Sequence, residues 1–214
     1  MAQILYTFDN PPSERDLKKA CKCLEDEGII AYQTDLNWAI GCDATNPNAI
    51  NKLRKIKPSH SKESPFTIMC DSISTASDIG HIDSVIFRYL KKAWPGPYTV
   101  ILQSTRILPK QIADKRKTVG IRIPGNNMVL ALIEMYGKPM VTTSVQNHLF
   151  AYEEVERHPK FGHEVEEVIG HQIDLILDLG IESPGEESTI ISFHEGYPEL
   201  IREGAGDPKV FDLT

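Results

Sequence analysis

Short apolar runs alternate along this chain with longer segments in which apolar residues recur every three or four positions. The short runs predict strands, because buried strands read as apolar stretches of about four to eight residues. They lie at 4–8, 29–33, 66–70, 98–103, 119–123, 140–144 and around 174–180, and a further short run follows Asp35. The periodic segments predict helices at about 14–27, from Asn46-Pro47 onward, and at about 83–93, 127–136 and 164–169.

Glycine and proline mark the ends of these predicted elements. Gly28 and Gly137 follow predicted helices, and the WPGP sequence at 94–97 separates a helix from the next strand. The C-terminal sequence STIISFHEGYPELIREG predicts a hairpin that turns at 195–196. Strands and helices interleave, and no Gly/Ser-rich linker or repeat divides them. The sequence therefore predicts one α/β domain over 1–214, with a mixed parallel and antiparallel sheet flanked by helices.

Composition narrows the classes of partner. The 214 residues carry a formal net charge of -7 with 41% hydrophobic and 25% charged residues, which is typical of a globular protein. Nonspecific coating of nucleic acid or of an anionic membrane by the whole chain is not expected, although a local basic patch could bind phosphates. The apolar runs are too short to span a bilayer, and the N-terminus lacks the features of a secretory signal. We expect a cytoplasmic protein with no membrane association.

Several common catalytic and metal-binding patterns are missing. The four cysteines contain no C-x-x-C pair, so we expect free thiols and no metal site; they are Cys21, Cys23, Cys42 and Cys70. The seven histidines are scattered. The sequence has neither a G-x-S-x-G nucleophile motif nor a standard phosphate-binding loop. Any nucleotide would have to be bound by an unusual loop.

Polar residues collect at the ends of three predicted strands. Thr34 and Asp35 follow the strand at 29–33, Arg122 lies inside an apolar strand, and the sequence TTSVQN begins at Thr142. In α/β proteins ligands bind where strand ends meet helix starts. We expect these side chains to gather on one concave sheet and bind an anionic ligand. A buried Arg needs a partner, and the partner of Arg122 could be an internal carboxylate or a ligand carboxylate.

Two basic clusters allow alternative interpretations. Arg54, Lys55 and Lys57 end a helix, and Lys62 follows in the polar segment KPSHSKESP. These cations could complement the helix dipole, or Lys57 and Lys62 could bind a triphosphate. The residues at 115–117 are most simply a solvated loop.

Taken together, the sequence resembles the YrdC-like family of threonylcarbamoyl-AMP synthases, most closely its YciO branch. The matching segments are GIIAYQTDLNWAIGCDA, LRKIK, WPGPYTVIL, KRKTVGIRIP, GKPMVTTS, STIISF and LIREGAGDP. The resemblance implies a YrdC-like fold with a large open cavity. It also implies a nucleotidyltransferase that joins threonine, bicarbonate and ATP into threonylcarbamoyl-AMP and pyrophosphate, for the t6A modification of tRNA. The family is further associated with binding of double-stranded RNA on a positively charged surface.

The resemblance assigns roles to individual residues. Those implied to lie near the nucleotide are Lys57, Thr118, Ser144, Gln146 and Arg202. Those implied to contact the amino acid are Thr34, Arg122 and Thr142. No side-chain nucleophile is needed, because catalysis would consist of positioning and charge neutralisation, with Mg²⁺ accompanying ATP as substrate and no dedicated metal site.

Three positions depart from the pattern of the synthases. Gln33 replaces the usual proline, Ser59 stands where the K-x-R motif has Arg, and Gln146 occupies the Asn position of S-x-N. Loss of the Arg removes a bidentate phosphate donor and could weaken ATP binding by about 1–3 kcal/mol. The synthase activity could therefore be weak or diverged. The alternative is a protein that binds double-stranded RNA or tRNA without efficient synthase activity.

Overall fold

A mixed sheet of ten strands runs through the part of the protein that the structure, a computed structural model, describes: residues 1–56, 66–105, 112, 117–145 and 158–213. The strands are β1 (Gln3–Tyr6), β2 (Ile30–Gln33), β3 (Trp38–Asp43), β4 (Thr67–Met69), β5 (Tyr98–Gln103), β6 (Thr118–Arg122), β7 (Met140–Ser144), β8 (Leu175–Asp178), β9 (Thr189–Ser192) and β10 (Glu199–Arg202). Their order across the sheet is β1-β8-β2-β3-β7-β4-β6-β5-β9-β10.

Both parallel and antiparallel pairs occur across this sheet. The parallel pairs are β1 with β8, β2 with β8, β4 with β6, and β5 with β9. The remaining neighbours, including the C-terminal hairpin of β9 and β10, run antiparallel. The predictions of a mixed sheet and of a C-terminal hairpin are confirmed, and β1 lies at one edge of the sheet.

Helices cover both faces of the sheet. They are α1 (Glu14–Glu25), α2 (Pro47–Ile56), α3 (Ile73–Ile79), α4 (Ser84–Ala93), α5 (Asn127–Tyr136) and α6 (Gly162–Ile169), followed by a 3-10 turn at Pro208–Phe211. Apolar residues of α1 and α5 form one hydrophobic cluster with the sheet, and those of α2, α3, α4 and α6 form another. The prediction of helices flanking the sheet is therefore confirmed. Within the described ranges no helix is long and apolar enough to cross a membrane.

Two local details differ from the sequence prediction. Helix α1 ends at Glu25, and the left-handed residue that terminates it is Glu27 with φ 62°, whereas Gly28 was expected to end it. Gly28 is needed for a different reason, because a Cβ there would overlap the sulfur and carbonyl of Cys23. Helix α3 was not predicted at all. Its sequence, ISTASDI, buries only two side chains, Ala76 and Ile79, so it shows too little periodicity.

The end of β3 is joined to the end of α5 by a polar cluster around Asp43. Its carboxylate accepts hydrogen bonds from the Thr45 hydroxyl at 2.6 Å, the Tyr136 hydroxyl at 2.8 Å and the Lys138 ammonium at 3.0 Å. Burial by itself raises the pKa of Asp43, but these bonds outweigh it and hold the pKa below its ordinary value. All four cysteines are free, as expected.

The segment at 179–188, here called the crossover segment, connects β8 near one edge of the sheet with β9 near the other. Its start is held by the Gln33 side-chain amide, which donates to the Ile181 carbonyl at 3.0 Å. Farther along, the backbone N–H of Glu186 donates to the Leu36 carbonyl at 3.1 Å. The crossover segment therefore runs past the β2–β3 turn before it reaches the C-terminal hairpin.

Candidate functional site

Arg122 and Ser144 lie on the same face of the sheet. Arg122 pairs with Met69 on the neighbouring strand, and Met69 pairs with Met140 at the start of β7. Directly paired strand residues point to the same face, and Ser144 is four residues after Met140 on the same strand. The expectation that these two distant residues share one side of the sheet is borne out by this register.

Thr118 and Thr142 lie on that face as well. Thr67 pairs with Thr142 on one side and with Gly120 on the other, and Thr118 precedes Gly120 by two residues. Both threonines are buried. On this face Arg122 and the hydroxyl side chains therefore lie beside Met69 and Met140, which pack in the hydrophobic cluster of α1 and α5.

The Arg122 guanidinium forms an ion pair with Asp35. Nη2 of Arg122 lies 2.7 Å from Oδ1 of Asp35, and Nε donates to the Gly96 carbonyl at 3.3 Å. Burial lowers the pKa of Arg122, while the Asp35 charge opposes the shift, and an arginine stays protonated at any ordinary pH. An internal carboxylate therefore contacts the buried Arg, which was one of the two alternatives left open by the sequence.

The Thr34 hydroxyl is occupied by the turn that carries Asp35. It donates to the Asn37 carbonyl at 2.7 Å and accepts from the backbone N–H groups of Leu36 and Asn37, both at 3.1 Å. A hydroxyl has one donor and two acceptor sites, so all of them are used. In this arrangement the side chain fixes the turn, and its predicted contact with an amino acid stays a prediction.

The Thr142 hydroxyl bridges two neighbouring strands. It donates to the Ile40 carbonyl at 3.0 Å and accepts from the Tyr32 hydroxyl at 2.9 Å. Burial raises the pKa of Tyr32 well above its usual range, so its hydroxyl stays a donor. One lone pair of Thr142 is left for a ligand.

Arg202 is held mainly by the crossover segment. Its Nε and Nη2 donate to the Ser188 carbonyl at 3.2 and 2.9 Å, and its Nη1 lies 2.5 Å from a Glu187 carboxylate oxygen. The Ser188 hydroxyl in turn lies 2.8 Å from that of Thr99 on β5. Arg202 therefore fastens the hairpin to the crossover segment, and much of its capacity to donate to a phosphate is already used.

Two predicted nucleotide residues, Lys57 and Gln146, lie outside the described residues, as does Ser59. The described residues contain no group of three or more His, Cys, Asp or Glu side chains that could hold a metal ion. The described residues therefore offer no cluster of carboxylates that would hold Mg²⁺ without further ligands.

Sequence reasoning did not find the contacts of three residues that shape this site. Asp35 stood out only as the second half of a polar pair, and Gly96 only as part of a helix-ending sequence. Ser188 gave no signal beyond its place before a predicted strand. All three act through contacts between segments far apart in the chain, as Asp35 shows by lying 87 residues from Arg122.

With this geometry in place, comparison with known proteins defines the family. The family model Sua5_yciO_yrdC, described as Telomere recombination, matches residues 22–204. The uncharacterized protein YciO of Escherichia coli (strain K12) is 34% identical over 212 residues, which are 99% of this chain and 100% of that protein. The crystal structure of E. coli YciO matches with a TM-score of 0.89 at 32% identity, over 99% of this chain and 100% of that one. The chain therefore belongs to the Sua5/YciO/YrdC family.

More distant relatives have a stated activity. The threonylcarbamoyl-AMP synthase of Pyrococcus abyssi (strain GE5 / Orsay) is 27% identical over 192 residues, which are 89% of this chain and 54% of that protein. The crystal structure of P. abyssi Sua5 complexed with L-threonine has a TM-score of 0.84 at 24% identity, over 98% of this chain and 60% of that one. This chain thus spans little more than half of the Pyrococcus protein, and the second likeness shows the fold alone.

Proposed function

We propose that this protein is a nucleotidyltransferase that joins L-threonine, bicarbonate and ATP into threonylcarbamoyl-AMP, with release of pyrophosphate. Family membership and the synthases among its relatives support this proposal. The product would feed the modification of tRNA. The departures at 33, 59 and 146 point to a slow or diverged member of the class.

The observation that carries the proposal is the shared face of Arg122, Thr118, Thr142 and Ser144. A condensation between an amino acid and a nucleotide needs a cation for one carboxylate and hydroxyl groups along a common surface. Arg122 is 4% exposed, so a ligand carboxylate would meet its guanidinium with little competition from water. Thr118 on β6 and Thr142 and Ser144 on β7 place three hydroxyl groups on the same face, with β4 between the two strands.

In the proposed reaction the chain acts by positioning. Arg122 would hold the threonine carboxylate, so that the amine faces the bicarbonate-derived carbon. Once its ammonium has lost a proton to solvent, the amine would attack that carbon, and water would leave as the carbamate forms. A carbamate oxygen would then attack the α-phosphorus of ATP, and pyrophosphate would leave. Lys57 would neutralise the phosphates, and Mg²⁺ bound to ATP would add positive charge there. Since Arg202 is bound to Glu187 and Ser188, it would contribute mainly by keeping the hairpin in place.

The decisive experiment measures pyrophosphate release from ATP by the purified protein. We expect release that depends on both threonine and bicarbonate, with a low rate, and threonylcarbamoyl-AMP as the product by mass spectrometry. Arg122→Met should raise the KM for threonine strongly and that for ATP little. Release that is absent, or that ignores threonine, would refute the proposal.

Binding of double-stranded RNA or tRNA is the alternative outcome. It would show as ATP-independent binding whose affinity falls steeply with salt, because phosphate contacts release counterions. The net charge of -7 gives this alternative no support from the chain as a whole.

A further inference from the structure

The ion pair between Arg122 and Asp35 leaves one polar atom of each partner available. Arg122 uses Nε for the Gly96 carbonyl and Nη2 for Oδ1 of Asp35. Within the described part of the chain no hydrogen bond involves Nη1 of Arg122 or Oδ2 of Asp35. Neither atom is among those buried without a partner, so both remain accessible from solvent. A donor and an acceptor are thus available at the same ion pair.

Both side chains are held in place by their surroundings. The turn that carries Asp35 is fixed by the Thr34 hydroxyl, and the Gly96 N–H donates to the Ile123 carbonyl at 2.9 Å. Gly125 also lies close, since a Cβ there would be 2.9 Å from Oδ2 of Asp35. The exposed fraction of the side chain is 5% for Arg122 and 19% for Asp35. The available atoms therefore belong to a rigid, largely desolvated pair.

A pair of this kind discriminates between ligands by charge pattern. A simple carboxylate is attracted by Arg122 but repelled by Asp35, so the pair offers it little net attraction. A zwitterion can place its carboxylate on the guanidinium and its ammonium on the carboxylate. Because the site is poorly solvated, both interactions are stronger there than in water.

We propose that Asp35 is the specificity residue that recognises the ammonium group of the amino-acid substrate whose carboxylate lies on Arg122. This inference rests on the proposed function, because it takes the ligand of Arg122 to be an amino acid. The role is one of binding and orientation, and no proton transfer is assigned to Asp35. It predicts that the protein distinguishes a free α-amino acid from the same molecule without its amine.

The test compares L-threonine with 3-hydroxybutyrate, which keeps the carboxylate and the hydroxyl but lacks the amine. Binding to the full chain is measured by isothermal titration calorimetry, with serine and 3-hydroxypropionate as a second pair. We expect the wild-type protein to prefer the amino acid by at least about tenfold. Asp35→Asn should reduce the preference below about threefold, weakening the amino acid and strengthening the hydroxy acid. Asp83→Asn, which changes a helix cap far along the chain, should leave the preference unchanged.

Several outcomes overturn the inference. Equal weakening of both ligands in Asp35→Asn would mean that Asp35 only supports Arg122, and absence of amino-acid binding to the wild type would exclude an ammonium site. If Asp35→Asn does not fold, the uncharged Asp35→Ser replaces it, and an unchanged preference there refutes the proposal. Amino-acid binding without pyrophosphate release would refute the synthase function and leave the role of Asp35 standing. Pyrophosphate release, together with an unaltered preference for the amino acid in Asp35→Asn, would refute the role of Asp35 and leave the synthase function standing.

Discussion

Two buried serines in the crossover segment should respond to alanine substitution in opposite ways. The Ser188 hydroxyl lies 2.8 Å from the Thr99 hydroxyl and accepts from Nη2 of Arg202 at 3.3 Å. The Ser183 hydroxyl is buried more deeply, with the residue 1% exposed, but it has no hydrogen-bond partner among the described residues. The two substitutions remove the same group from the same segment, and only one of them breaks an interaction.

The expected magnitudes follow from what each variant leaves behind. Ser188→Ala leaves the hydroxyl of Thr99, a residue that is 6% exposed, without this hydrogen-bond partner. The substitution should lower the free energy of unfolding by about 2 kcal/mol. The Arg202 bonds to the Ser188 carbonyl survive, so the cost should not be larger. Ser183→Ala removes an unpaired polar group, whose burial costs about 1–3 kcal/mol, and loses little packing. It should be neutral or stabilising by up to about 1 kcal/mol.

Urea unfolding followed by circular dichroism measures both effects. With an m-value of about 2 kcal/mol/M, Ser188→Ala should lower the midpoint by about 1 M, while Ser183→Ala should not lower it. Adding Thr99→Val to Ser188→Ala should recover much of the loss, because both partners are then removed. If Ser183→Ala destabilises as much as Ser188→Ala, the hydrogen-bond assignment in this segment is wrong.

Two further predictions concern buried charges. Asp35→Asn leaves the guanidinium of Arg122 buried without its counter-ion and should lower the free energy of unfolding by about 2–4 kcal/mol. The double variant Asp35→Asn/Arg122→Met should recover most of this loss, because no buried charge is then left unpaired. If urea unfolding shows no recovery in the double variant, the prediction is wrong. Because the folded-state pKa of Asp43 is lowered, its contribution to stability is present above the unfolded value of about 4 and is lost as pH falls toward the folded value. Asp43→Asn should therefore flatten the acid limb of the stability–pH curve below about pH 4, and an unchanged slope would refute that.

Where an element has clear local boundaries, the sequence was enough to predict it. Strand β5 and helix α5 lie at the predicted residues, because a WPGP sequence precedes the first and Gly137, with φ 71°, ends the second. Helix α3 begins after Ser72, whose hydroxyl accepts from the Thr75 N–H, and ends before Gly80, but its sequence lacks the apolar periodicity that predicts a helix. Local sequence thus determines elements with a strong pattern and a strong stop.

The candidate site is harder to predict, because its contacts depend on strand order. An Arg inside the apolar strand VGIRI indicates that its guanidinium has a partner, since an unpaired buried charge is costly. The identity of that partner depends on the β2–β3 turn meeting the end of β6, three strands away in the sheet. The hydrophobic pattern of the sequence does not show which strands become neighbours, so it cannot predict this contact. The same holds for Ser188 and Thr99, which come together only because β9 pairs with β5.

The crossover segment links the two halves of the candidate site. Its residue Glu186 accepts a hydrogen bond from the Asn37 side chain in the turn that carries Asp35, and the next residue, Glu187, pairs with Arg202. A displacement of the hairpin would therefore pull on the turn that positions the carboxylate beside Arg122. These contacts link the amino-acid end of the site to the hairpin, so a ligand that binds Asp35 should also stabilise the hairpin. Slower amide hydrogen exchange in β10 on addition of L-threonine would be the direct sign of that coupling.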